Sequence, residues 1–195
     1  AAQSKLDFAY PNVGRLIETR PAGHAFHSAD SELGHGEAVF QSAVAALHRW
    51  EQFRVGWVEL CWPKAPIQIG RTVAILARTF GLWSLSACRI IQLLDEYPSA
   101  DTRQFGFVYA TLPDHPEIGE ERFAVQWCQE TDQVKYEIAA CFRPRDVIVR
   151  LAWLYFRRMV DQFRRQSAAS MKLACSAPLE AKGVCVRSSD DPDCS

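Results

Sequence analysis

Apolar residues recur at helical spacing once early and once late in this chain, and alternate at a spacing of two through most of what lies between. The early stripe is Phe40, Ala43, Val44, Leu47 and Trp50, which predicts an amphipathic helix over 37–53 behind the punctuating Gly34 and Gly36. The late stripe is Ile148, Leu151, Ala152, Tyr155, Met159 and Phe163. It predicts a helix over 145–173, roughly 40 Å long at about 1.5 Å per residue, with Pro144 near its start, where a missing N–H costs little. Between the stripes, strands are expected at 55–62, 72–80, 82–97, 105–112, 121–128 and 134–142. The apolar run 82–97 has no clean helical stripe and is bounded by Gly81 and Pro98, so it reads as strand. Residues 6–17 read as two short extended pieces about a turn, and 23–33 as extended but polar.

Strands joined by short turns favour antiparallel pairing. The order strand, helix, about six strands, long helix predicts an α+β fold. Its economical form is a curved antiparallel β-sheet wrapped around a long C-terminal helix, with one earlier amphipathic helix. A straight helix cannot fill a strongly bent sheet, so a cavity between them is expected. The expected organisation is a single domain over 1–173 and a disordered tail over 174–195, where periodicity gives way to Ser, Asp, Pro and Gly.

Composition narrows the functional classes. A net charge of −1 argues against a nucleic-acid binder driven by global charge. The chain has no run near the ~20 apolar residues of a membrane span. Seven cysteines occur at irregular spacing and none forms C-x-x-C. That pattern predicts reduced thiols, a cytoplasmic compartment and no zinc site. His24, His27 and His35 lie near Asp30, Glu32 and Glu37 but match no compact ligand motif, so neither a metal nor a cofactor is expected. The chain has no Walker loop, no G-x-G-x-x-G and no G-x-S-x-G.

The segment 109–123 concentrates the candidate chemistry. His115 sits between Pro113 and Pro116, near Glu117, Glu120 and Glu121. A histidine on a stiff loop beside carboxylates is a candidate acid or base, and an ordinary surface turn is the plainer alternative. Glu120 and Glu121 must point to opposite strand faces, and alternation with Phe123 and Val125 makes Glu121 the inward one. A buried carboxylate needs a partner, for which Arg143 is the candidate. The strand tryptophans Trp57, Trp83 and Trp127 either fill the core or line a pocket. Tyr109 and Tyr136, with Ser86, could orient a ligand there, and Tyr155 faces it from the last helix. Arginines on that helix outnumber its acids, which suggests either a solvated face or a docking surface.

Several motifs together resemble a bacterial and plant domain-of-unknown-function family. They are Leu33-Gly34-His35-Gly36, then Leu47, Trp50, Phe53 and Trp57, then Thr111-Leu112, His115-Pro116 and Gly119-Glu120-Glu121-Arg122-Phe123. Tyr10-Pro11, Val13-Gly14, Tyr136 to Ile138 and Arg143-Pro144 extend the match to about 6–171. Ala110 and Asp114 depart from it, standing where the family usually has glycine. In element order the family resembles the START-like helix-grip proteins, which enclose hydrophobic ligands between sheet and helix. What the resemblance implies is binding of a small, largely apolar molecule. The alternatives are an enzyme acting on such a molecule through His115 and Glu121, or a membrane- or partner-docking protein. Fold alone does not choose among these.

Overall fold

The computed structural model describes residues 8, 10–79, 81–145 and 153–176, with the side chains of 79, 82 and 153–156 left aside. Helix α1 is a single turn, Leu16–Thr19, followed by β1 (Ala25–His35) and α2 (Glu37–His48). After a 3-10 turn at Glu51–Phe53 come β2 (Val58–Leu60), β3 (Thr72–Thr79), β4 (Leu82–Ser99), β5 (Thr102–Thr111), β6 (Glu117–Cys128) and β7 (Gln133–Pro144). Helix α3 (Trp153–Ser176) ends the described chain. The strands form one seven-stranded sheet in the order β1-β7-β6-β5-β4-β3-β2. Every neighbouring pair is antiparallel. Five consecutive hairpin neighbours run from β3 to β7, and β1 returns to the far edge beside β7.

The two faces of this sheet carry different cores. The concave face presents Val73, Cys88, Ile90, Phe107, Tyr109, Phe123, Val125, Tyr136 and Ile138. Against it pack Phe40, Ala43, Ala46 and Leu47 of α2, then Trp50, Phe53, and Phe163 and Met171 of α3. Phe107 and Phe123, at 5.4 Å between rings, sit at the centre of an aromatic stack that also includes Trp50, Phe53 and Phe163. The convex face carries a smaller cluster of Leu94, Val108, Ala124, Ala139 and Cys141 beneath Leu16 and Ile17 of α1.

Neighbouring strands of the curled sheet approach closely where a side chain is lacking. A Cβ on Gly119 of β6 would run into the carbonyl of Cys141 and the Cβ of Phe142 on β7. The α+β architecture expected from the pattern, a curved antiparallel sheet around the final helix with one earlier helix, is the one observed.

Element boundaries moved where tertiary contacts override local periodicity. Helix α2 stops at His48, because Trp50 adopts a left-handed conformation (φ 59°) that lets its indole N–H donate to the carbonyl of Ala65 at 2.8 Å. The expected strand 55–62 shrinks to three residues, since Gly56 turns with φ 79°. In place of the second extended piece in 6–17 there is the helical turn α1. Strand β6 starts at Glu117 rather than at 121, which shortens the loop that carries His115. Helix α3 runs through Ser176, three residues into the stretch expected to be irregular. Residues 177–195 of that stretch, and 146–152 of the expected helix, lie outside the described residues.

Candidate functional site

Between the concave face and α3 lies a hollow of about 190 Å³. Its apolar wall comes from Phe53, Trp57, Ile75, Ala77 and Phe142, closed by Met159, Val160 and Phe163 on α3. Its polar end comes from Tyr109, Thr111, His115, Glu117 and Glu121, and Ser84 and Ser86 reach it from β4. Two larger hollows, of about 590 and 630 Å³, lie elsewhere: one by the loop His48–Lys64, the other on the convex side around Tyr10 to His24. The first sets two carboxyls and an imidazole, all displaced by burial from their ordinary titration, against an apolar wall, so it is the candidate site.

Strand register assembles the polar end. Tyr109 on β5 lies directly across from Glu121 on β6, and its hydroxyl donates to Oε2 of Glu121 at 2.5 Å. Burial pushes the Glu121 carboxyl up, while the Tyr109 hydrogen bond and the Arg164 guanidinium pull it back down. Glu117 lies four residues earlier on the same face. Burial, and then the charge of Glu121, push its carboxyl up to about 7, with Arg164 opposing. Its Oε1 has no hydrogen-bond partner. Burial and, secondarily, Arg145 hold His115 down to about 4, and the backbone N–H of Glu117 donates to its Nδ1 at 3.0 Å, a bond that only the unprotonated nitrogen accepts. Near neutrality that imidazole is uncharged, with Nδ1 occupied and the proton on Nε2. The loop is pinned further by the His115 N–H donating to the Leu112 carbonyl at 3.0 Å and the Arg145 N–H donating to the Pro116 carbonyl at 2.9 Å. Gly119 donates its N–H to Oγ1 of Thr111 at 3.0 Å.

The sequence-expected residues divide into two groups. Trp57, Tyr109, His115 and Glu121 come together at this hollow, with Glu121 on the concave face. The Trp57 indole N–H donates to Oε1 of Gln166 at 2.6 Å and so ties the loop before β2 to α3. Trp83, Trp127, Tyr136 and Arg143 do not line it. On β4 the inward positions are Ser84 and Ser86, so Trp83 points outward, 51% exposed, with the Arg78 guanidinium over its ring. Trp127 lies at the far end of β6, against Phe40 and hydrogen-bonded to Asp132. Tyr136 is buried in the core, its hydroxyl 2.9 Å from Ser167 Oγ. Arg143 pairs with Ile118 in register and lies on the convex side, so it cannot partner Glu121. The side chain of Tyr155 is outside the described set.

The cation acting on Glu121 is instead Arg164 of α3, buried at 8% side-chain exposure and 3.6 Å from Asp161. Sequence reading grouped it with the solvated arginines. The available signal was position: Arg164 stands four residues after Val160 and three before Ser167, both on the inward side of the helix. His24, His27 and His35 converge with no acid or cysteine into a metal-binding group among the described residues. The five cysteines described are free thiols. No described helix is long and apolar enough to cross a membrane.

A family model for a domain of unknown function, DUF1990, matches residues 9–170. The chain belongs to the DUF1990 family. A UPF0548 protein of Dictyostelium discoideum is 36% identical over 159 residues, 78% of this chain and 74% of that one. The relatives therefore reach beyond bacteria and plants. A hypothetical protein from Helicobacter pylori shares the fold with a TM-score of 0.50 at 10% identity, over 86% of this chain and 95% of that one. A START superfamily protein from Mycobacterium smegmatis is similar at TM-score 0.45 and 11% identity, over 77% and 99% of the two chains. At such identities likeness concerns the fold, and the site must be argued from its own residues.

Proposed function

We propose that the hollow beneath α3 binds a small, largely apolar molecule with one polar end. The observation that carries this reading is the division of its lining into a continuous apolar wall and a compact polar end. Ligand sites combine an apolar surround with a few placed polar groups in this way. The volume sets the size class. A cavity of about 150 Å³ lined by apolar side chains takes up benzene, so 190 Å³ suits a single substituted ring or a short branched chain.

Native mass spectrometry of the purified protein, and titration with toluene or indole followed by Trp57 emission, test the reading. The expected results are a retained small molecule, and saturable quenching that Val160→Trp abolishes by filling the space. Absence of any retained molecule, together with no response to either probe, would remove the reading.

A catalytic reading draws on one further observation, the Glu117 carboxyl held near neutrality at the pocket wall. General acid–base groups work best when poised there. The acid–base role then falls to Glu117 rather than to His115, whose Nδ1 is engaged and whose imidazole stays neutral. Turnover of the retained molecule by the wild type but not by Glu117→Gln would support it.

A further inference from the structure

The polar end of this pocket has more acceptors than donors, which restricts what can fill it. Tyr109 has one proton and gives it to Glu121. The Nδ1 of His115 already accepts from backbone, leaving one N–H at Nε2. Oε1 of Glu117 is buried with no partner. The buried cation nearby, Arg164, acts on both carboxyls through space, but its ion pair is with Asp161, and its Nε and Nη2 have no partner. A carboxyl in such surroundings lacks a donor, and a charged donor satisfies it best.

Resting on the reading of the hollow as a binding site, we propose that its ligand is a small aromatic or alkyl amine whose ammonium lies between Glu117 and Glu121. The apolar body would lie along Trp57, Phe53 and Phe163, whose ring faces also favour a nearby cation. A carboxylate or phosphate in the same place would meet two acids and be repelled. A neutral alcohol could accept from His115 and donate to Glu117, but would add no positive charge to the single guanidinium that the two acids share.

Proton linkage gives the proposal its signature. The groups acting on Glu117 are Glu121 on its own strand, Cys88 on β4, His115 at the loop and Arg164 on α3; Tyr109 and Tyr136 act on Glu121, Arg145 on His115, and Asp161 on Arg164. Burial keeps Cys88, Tyr109 and Tyr136 protonated well past neutrality, and His115 is neutral above about 4. Glu117 is left to titrate at about 7, beside Glu121, whose carboxyl burial raises. An ammonium between them draws the proton off Glu117, so amine affinity rises with pH through about 7. A neutral ligand has no such gain.

The experiment is calorimetric titration of the wild type with benzylamine, benzyl alcohol, toluene and benzoate at pH 6 and pH 8. Benzylamine is expected to bind roughly tenfold more tightly than benzyl alcohol at pH 8 and to gain several-fold from pH 6 to 8, with benzoate not binding. Glu117→Gln is expected to lose the pH gain for benzylamine, and toluene binding to the wild type is expected to be the same at both pH values. Equal affinity for benzylamine and benzyl alcohol at both pH values would overturn the amine assignment while leaving the apolar pocket standing. Failure of all four probes to bind would overturn the pocket reading, and the amine assignment with it.

Discussion

Glu120 and Glu121 are bonded neighbours whose side chains leave β6 on opposite faces. Glu121 belongs to the pocket. Glu120, 3% exposed, accepts from the Tyr10 hydroxyl at 3.2 Å and from the backbone N–H groups of Gly14 and Leu16 at 2.6 and 3.0 Å. It fastens the N-terminal segment to the convex face. Glu120→Ala should therefore lower unfolding free energy by about 1–3 kcal/mol in urea titration, because it strands buried donors. The two pocket titrations act on stability in opposite directions. Glu117 has a folded value above its ordinary 4.5, so its contribution favours the fold at low pH and is lost as pH rises through about 7. His115 has a folded value below 6.5, so its contribution is present at higher pH and is lost as pH falls through about 4. Glu117→Gln removes the first effect alone. Relative to the wild type it should gain ~1–2 kcal/mol between pH 5 and pH 8, after discounting for water in the half-open pocket; a flat difference across that range would refute the assignment. Alternation made the facing of these two glutamates legible, because Phe123 and Val125 mark one side of β6. It could not do so for Trp83, since β4 carries apolar residues on both faces: Ala87 outward and Cys88 inward are each buried.

At the scale of elements, period and punctuation located both long helices and the strands of the sheet, and erred where a single contact decides a boundary. No local signal in 49–53 announces that Trp50 will turn left-handed to reach Ala65. Likewise Arg164 looks like its exposed neighbours Arg157, Arg158 and Arg165 until α3 is docked. The docking itself rests on a few buried side chains. Met171 has no exposed surface, and Met171→Ala should cost about 2–5 kcal/mol in thermal or urea unfolding. The bend of the sheet is equally specific. Gly119→Ala places a methyl on the β7 backbone and should cost about 1–3 kcal/mol, with loss of toluene binding, since the strand must move away from the pocket wall. An unchanged unfolding midpoint would show that the strands do not need that close approach.

For the molecule as a whole, the concave sheet and the two helices form one layer pair with a gap that side chains do not fill. A ligand that enters the gap binds only the folded form. Saturation at about 100 times Kd should therefore raise unfolding free energy by ~2.7 kcal/mol, and the shift should vanish in the pocket-filling Val160→Trp variant. The sheet order carries a separate consequence. Because β1 pairs with β7, Ala25 meets Phe142 and His35 meets Gln133, across roughly a hundred residues of chain. The edge strand made first must wait unpaired during synthesis until the last strand has left the ribosome. Protease resistance of β1 in ribosome-arrested nascent chains should thus appear abruptly once residue 144 emerges. Until then, the exposed edge invites chaperone binding.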